Sequence, residues 1–121
     1  MRSSFWIRIL TGLWAIIIFV LSTLPGKQLP QVTWLSSPDK WAHAFVYGVL
    51  ATGILLSWSP NLHLKKRYQL AFLLASLYGI SMEIVQFTFF PGRYFEVWDI
   101  VANITGAFVA LLFSNKFINL Q

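Results

Sequence analysis

Four long apolar segments, separated by shorter polar stretches, make up most of the chain. Each has about 20 residues, the length an α-helix needs to cross a hydrocarbon core about 30 Å thick. The segments are apolar nearly all round, so none has a polar face to present to water. The pattern predicts an all-α integral membrane bundle of four transmembrane helices in a single domain, residues 1–121, with helices at 5–24, 41–59, 70–90 and 98–117.

The prolines support these boundaries, because proline disrupts the interior of a helix. All five prolines fall in the predicted connections: Pro25, Pro30, Pro38, Pro60 and Pro91.

The composition excludes an ordinary soluble domain. Hydrophobic residues make up 57% of the chain and charged residues 11%, whereas charged residues are about a quarter of a typical soluble protein. The lack of cysteine excludes disulfides and thiolate chemistry. The net charge of +5 could suggest a nucleic-acid partner, but the only compact basic run is 65–67. We expect the lipid bilayer, and no nucleic acid, as a partner.

The distribution of Lys and Arg predicts the orientation. With the amino terminus inside, the cytoplasmic side carries the larger share of cations, so both termini are expected in the cytoplasm. The basic run 65–67 then acts as a topology determinant against anionic lipid. Arg2 and Arg8 before an apolar run also fit a signal peptide, but no small-x-small cleavage site follows. We therefore interpret the first segment as an uncleaved helix.

The few polar residues of the predicted helices gather at one membrane face. On each of the last three helices they follow helical spacing, and all lie within roughly 10 Å of the outer boundary. All four acids, Asp39, Glu83, Glu96 and Asp99, are at or near that face. Rows of small residues continue these stripes and allow close helix contact, so we expect the stripes to face the bundle. The small-residue rows are Ala44, Gly48 and Thr52; Ala71, Ala75 and Gly79; and Ala102, Gly106 and Ala110. The first helix lacks such a row and is expected at the periphery.

Two interpretations of each polar residue stay open at this point. A single acid could be a structural cross-link that fixes helix register, and a single amide or tyrosine could be an interhelical hydrogen-bonding group. An ionisable residue within a membrane is costly, however, and the whole set lies in one place. The set therefore predicts a polar pocket, with His43, Glu83 and Asp99 as candidate catalytic groups, and Asp39, Lys40, Tyr47, Gln86, Arg93 and Asn103 as candidate binding groups.

The residue types suit the recognition of a polar headgroup. Arg93 and Lys40 can hold a phosphate or carboxylate, while His43 with Glu83 or Asp99 can exchange protons. One histidine and three carboxylates from different helices lack the local spacing of a metal site, so we expect neither a metal nor a cofactor.

Two strings of the sequence resemble the VanZ-like family of small multipass bacterial membrane proteins. They are DKWAHAFVYGVLA at 39–51 and EIVQFTFFPGRYFEVWDIVANITGA at 83–107. The family pattern is Asp-Lys-x-x-His-x-x-x-Tyr, then Glu-x-x-Gln, Gly-Arg and Asp-x-x-x-Asn-x-x-Gly. The matching positions are Asp39, Lys40, His43, Tyr47, Glu83, Gln86, Gly92, Arg93, Asp99, Asn103 and Gly106.

The resemblance covers about residues 5–115. It implies a multipass protein of the bacterial inner membrane, in a family named for a member associated with resistance to the glycopeptide antibiotic teicoplanin. It implies no reaction. Glu96 and Tyr94 fall outside the pattern and are weaker candidates.

Three functions are consistent with the sequence. The first is a non-enzymatic envelope factor that binds a lipid-linked or glycopeptide headgroup. The second is a membrane hydrolase or transferase that acts on an outer-leaflet lipid-linked substrate with His43 as acid or base. The third is a purely structural bundle. Four short helices enclose a small cavity, so a homo-oligomer is also an expectation.

The orientation can be tested with a fluorescent protein fused after Gln121. We expect a fluorescent fusion, because the carboxy terminus is predicted to be cytoplasmic. A well-expressed but dark fusion would reverse the two sides.

Overall fold

A computed structural model shows a bundle of four α-helices. It describes residues 2–23, 38–59, 61–90 and 97–118. The helices are α1 (Arg2–Thr23), α2 (Pro38–Ser57), α3 (Leu64–Phe89) and α4 (Val97–Ile118). The predicted all-α class and the four helices are confirmed.

All four helices begin earlier than predicted, α1 and α2 by three residues, α3 by six and α4 by one. The predicted start of α3 at residue 70 is wrong, since the helix begins at Leu64 and includes the basic run 65–67. Lysine and arginine are good helix formers, so the polar run that precedes the apolar segment can belong to the same helix. Pro38 was placed in a connection, but it is the first residue of α2. Proline suits that position, where its missing N–H would have no helical partner.

Successive helices alternate in direction. Arg8, near the start of α1, contacts Ser57 at the end of α2, and Arg67, near the start of α3, contacts Leu55. Both α1 and α3 are therefore antiparallel to α2.

The first turn of α1 and the last turn of α4 lie at the same end of the bundle, where α2 also ends. Lys40 pairs with Asp99 and Thr52 contacts Ser114, so α4 runs parallel to α2. We call the end at which α2 and α4 begin the acidic end, because Glu83 and Asp99 lie toward it. We call the opposite end the basic end; its described cationic side chains are Arg8, Lys65, Lys66, Arg67 and Lys116.

The closest contact in the bundle is between the small residues of α2 and α4. A Cβ added at Gly106 would overlap the backbone of Ala44, whose Cα and carbonyl carbon lie 2.5 Å from that position. One at Gly48 would lie 3.1 Å from the Gly106 carbonyl oxygen and 3.2 Å from Ala110 Cβ. The small-residue rows predicted for these two helices therefore form their interface.

Helix α1 lies at the periphery but is firmly attached. Most of its large apolar side chains are exposed, which suits contact with lipid. The Trp14 indole donates a hydrogen bond of 2.9 Å to the Val46 carbonyl of α2, and the Tyr78 hydroxyl donates one of 2.6 Å to the Ala15 carbonyl. At their crossing, Gly53 of α2 leaves room for a side chain of α1.

Three of the helices are long and apolar enough to cross a membrane: α1, α3 and α4. Helix α2 has 20 residues and thus a length of about 30 Å, but its polar stripe lowers its mean hydropathy. It contacts all three other helices, which shelter part of its surface from lipid. Four spans and cytoplasmic termini stay predictions.

The contact between α2 and α4 predicts that Gly106→Ala destabilises the protein. The added methyl group would force two backbones apart, and overpacking of this kind costs about 1–3 kcal/mol. Thermal unfolding of the purified protein in detergent measures the effect.

Gly12→Ala is the matched control. No atom lies within 4 Å of a Cβ added at Gly12, and alanine favours a helix over glycine by about 0.5–1 kcal/mol. Its melting temperature should be equal to or above that of the wild type. Equal losses in the two variants would contradict the proposed close contact.

Candidate functional site at the acidic end

The site is formed where the parallel helices α2 and α4 begin side by side. Residues four apart project from the same face of a helix, so Lys40, His43 and Tyr47 of α2 face Asp99 and Asn103 of α4. The predicted convergence of these stripes is thus seen between residues about 60 positions apart in the chain.

An ion pair joins the two helices at the mouth of the site. Lys40 Nζ donates a hydrogen bond to Asp99 Oδ1 over 2.5 Å. The Lys40 side chain is 26% exposed, whereas that of Asp99 is 11% exposed. Asp99 lies in the first turn of α4, where the helix dipole also stabilises a negative charge. The Asp99 carboxylate is therefore more deeply buried than the Lys40 ammonium group.

His43 occupies the space between both polar residues of α4. Its Nδ1 lies 2.9 Å from Asn103 Oδ1, and its Nε2 lies 3.7 Å from Asp99 Oδ2. With the amide oxygen as acceptor, Nδ1 carries a proton. The second nitrogen then faces the carboxylate. The contact with Asn103 orients the imidazole at Nδ1, and the side chain is 27% exposed.

A glycine of α3 makes room for the deeper part of the site. A Cβ at Gly79 would lie 2.8 Å from Asn103 Nδ2 and 3.1 Å from Tyr47 Cε1. The Asn103 amide and the Tyr47 ring therefore meet over this residue, and both side chains are buried. A side chain at position 79 would push one of them away.

Glu83 is the most deeply buried acid among the described residues. It is 2% exposed and lies one turn beyond Gly79 on α3, close enough to Tyr47 for an electrostatic interaction. Burying a carboxylate is costly unless other groups compensate it. Its burial favours a role in the polar wall that α3 adds to the site over contact with solvent.

Gln86 is directed to a neighbour that sequence reasoning did not anticipate. Its amide nitrogen donates a hydrogen bond of 2.9 Å to the carbonyl of Ser22 on α1. This contact fastens α1 to α3 and accounts for the burial of the side chain. Backbone carbonyls accept hydrogen bonds regardless of sequence, so the sequence carried no signal for it.

Several candidates lie outside the described residues: Arg93, Tyr94, Glu96 and the side chain of Asp39. Their roles stay predictions. Gly79 is the residue whose role at the site was missed. Its small-residue row ran straight into Glu83, and that continuity was the available signal.

The described residues contain no group of three or more His, Asp and Glu side chains close enough to hold a metal ion. The arrangement instead offers two partly exposed nitrogen groups, Lys40 and His43, backed by Asp99 and Asn103. Ammonium and imidazole groups in this position can bind an anion or exchange a proton with a bound ligand.

Comparison with known proteins connects this site to a family. Residues 7–118 match the family described as VanZ/LLP1, and the resemblance is thereby confirmed. The chain is 35% identical over 98 residues to a protein of the fission yeast Schizosaccharomyces pombe, "Uncharacterized protein C11E3.10". That alignment covers 78% of this chain and 59% of the yeast protein, so the chain spans about three-fifths of that relative. No solved structure matches the chain.

The ion pair predicts that Asp99→Asn destabilises the bundle. The change leaves the Lys40 ammonium without its carboxylate partner, and we expect a loss of about 1–3 kcal/mol, since partial exposure screens the pair. Adding Lys40→Met should recover part of the loss. Unfolding of the single and double variants in detergent measures the coupling.

Lys116→Met is the control, because this exposed residue of α4 lies over the Phe113 ring and far from the site. It should leave unfolding unchanged. Strict additivity of Asp99→Asn and Lys40→Met would mean that the pair contributes nothing.

Proposed function

We propose that this chain, which belongs to the VanZ/LLP1 family, is a cell-envelope membrane protein that binds the polar headgroup of a lipid-linked precursor or a glycopeptide at its acidic end. The observation that carries the proposal is the order of the charges. Lys40 and His43 are each about one-quarter exposed, while the Asp99 carboxylate behind them is 11% exposed. An anionic ligand that approaches the site meets nitrogen groups first.

The pair with Asp99 prepares Lys40 for binding. It holds the partly exposed ammonium in one position, where its positive charge can attract a phosphate or carboxylate. Preorganised donors reduce the entropy lost on binding. Arg93, in the predicted loop above, is proposed to add a guanidinium to the same ligand.

An apolar groove beside the site favours a lipid-linked ligand over a fully soluble one. It has a volume of about 920 Å³, lies between α1, α2 and α4, and is lined by apolar residues that include Trp41, Phe45 and Val109. Trp41 is next to Lys40 in the chain, so the groove begins beside the headgroup site. We propose that the hydrocarbon chain of the ligand lies in this groove.

The resemblance to a family named for teicoplanin resistance supports the glycopeptide alternative. In that case the same cationic groups would bind the drug or the envelope precursor that it targets. The proposed location is the bacterial inner membrane, with both termini cytoplasmic and the acidic end at the outer face. The fission yeast relative shows that similar chains are not confined to bacteria.

A second candidate function is a hydrolase or transferase for an outer-leaflet lipid-linked substrate. The geometry that favours it is the oriented imidazole, held 2.9 Å from Asn103 and 3.7 Å from Asp99. In this reaction class His43 acts as acid or base, with Asp99 as its neighbouring partner. A nucleophile is not needed from the protein if water attacks the substrate.

The proposal predicts that removal of the exposed nitrogen groups abolishes binding while the protein still folds. We expect Lys40→Gln and His43→Ala to reduce co-purified lipid-linked anionic material by at least about tenfold, the factor that follows from the loss of about 1.4 kcal/mol. Mass spectrometry of lipids extracted with the purified protein measures it, and folded membrane yield is recorded in parallel.

The control is Lys66→Gln, an exposed cation at the basic end, which should leave the amount of co-purified lipid-linked precursor or glycopeptide, counted apart from ordinary phospholipid, unchanged. Normal yield and undiminished co-purified lipid in Lys40→Gln would contradict the proposal and leave a structural bundle. Incubation of the wild type with extracted envelope lipids tests the second function. New products that disappear with His43→Ala would establish an enzyme.

A further inference from the structure

Among the described residues, the cationic side chains of the basic end face no side-chain carboxylate. All four acids of the chain are at positions 39, 83, 96 and 99, whereas Lys65 and Lys66 lie exposed at the start of α3. Neither lysine has a partner among the described residues. This surface therefore has an uncompensated positive charge, which fits an anionic partner.

Two arginines hold the end of α2 at this surface. Arg8 Nε donates to the Ser57 carbonyl over 2.9 Å, and Arg67 Nη2 donates to the Leu55 carbonyl over 3.1 Å. The last carbonyls of a helix have no partner within it and carry partial negative charge. The bonds place the Arg67 guanidinium beside the last turn of α2. Trp58 directly follows that turn in the sequence.

Three buried donors at this end have no hydrogen-bond partner among the described residues. They are the Arg67 Nε, the Trp58 indole nitrogen and the Tyr68 hydroxyl. The Tyr68 hydroxyl is also close enough to the Arg67 guanidinium for an electrostatic interaction. Buried donors are costly when unsatisfied. The neighbouring Arg67 Nε and Tyr68 hydroxyl therefore indicate a missing acceptor.

A second apolar groove begins at the same tyrosine. It has a volume of about 420 Å³ and lies between α3 and α4, with Tyr68 and Asn115 at its basic end and Phe72, Phe108 and Leu111 deeper in the bundle. Phe72 and Phe108 pack edge to face, with ring centroids 6.3 Å apart. The groove is therefore apolar along its length and polar at its mouth.

We propose that an anionic phospholipid binds at the basic end, with its phosphate accepting hydrogen bonds from the unsatisfied donors around Arg67 and one acyl chain in the groove between α3 and α4. Lys65 and Lys66 add electrostatic attraction toward an anionic lipid. A phospholipid satisfies both observations, because it joins an acceptor to a hydrocarbon chain. Two copies of the chain would instead bring like charges together.

The test compares thermal unfolding of the full chain in phosphatidylcholine vesicles and in vesicles that also contain phosphatidylglycerol. A ligand that binds only the folded protein stabilises it. We expect phosphatidylglycerol to raise the melting temperature by about 4 °C or more. Tyr68→Phe should lose at least half of this rise, while its melting temperature in phosphatidylcholine should be equal to or above that of the wild type.

Tyr78→Phe is the matched control. Its hydroxyl already donates to the Ala15 carbonyl, so this variant should lose stability equally in both vesicles and keep the full lipid-dependent rise. Lys65→Gln with Lys66→Gln should reduce the rise without loss of stability in phosphatidylcholine.

Three outcomes would overturn the proposal. The first is an undiminished rise in Tyr68→Phe. The second is an equal rise with inorganic phosphate in phosphatidylcholine vesicles, which would indicate a free-anion site. The third is a dimer that forms only with phosphatidylglycerol. The result is independent of the proposed function, because Lys65, Lys66 and Tyr68 lie at the end opposite Lys40.

Discussion

The close approach of α2 and α4 is the contact on which the rest of the structure depends. Gly106 brings the two backbones together at Ala44, and both helices run in the same direction from there. Their first turns then lie at the same height, which allows Lys40 to reach Asp99. Dispersion contacts between closely packed residues stabilise this helix pair. Within a bilayer the hydrophobic effect does not drive helix pairing, because lipid is as apolar as the helix surface.

The other two helices complete this pair in different ways. Helix α3 contributes Gly79 and Glu83, which enclose the deep side of the site. Helix α1 contributes almost no buried surface but is attached by the hydrogen bonds of Trp14 and Tyr78 to backbone carbonyls. Each such bond removes a polar group from contact with hydrocarbon, where it would be costly. The bundle thus combines a packed pair, a polar wall and a hydrogen-bonded outer helix.

Much of the candidate site could be predicted from the sequence, because helical spacing places His43 and Tyr47 on one face and the alternating direction brings that face to Asn103. The partner of Gln86 could not be predicted, since a polar stripe shows which face is buried but not which helix lies against it. The start of α3 was misplaced for a related reason. The apolar segment shows which part of α3 is suited to contact lipid, but the helix itself already begins before that segment and includes the cationic run 65–67.

The pairing of Lys40 with Asp99 has a consequence for biosynthesis. The two residues are 59 positions apart, and α3 lies between their helices in the chain. During synthesis, α2 and α3 therefore emerge from the ribosome before the carboxylate that pairs with Lys40 exists. The ammonium must stay hydrated until α4 is inserted, and a chain interrupted before that point would carry a charge that no helix shields. The ion pair between Lys40 and Asp99 can therefore form only after α4 has been inserted.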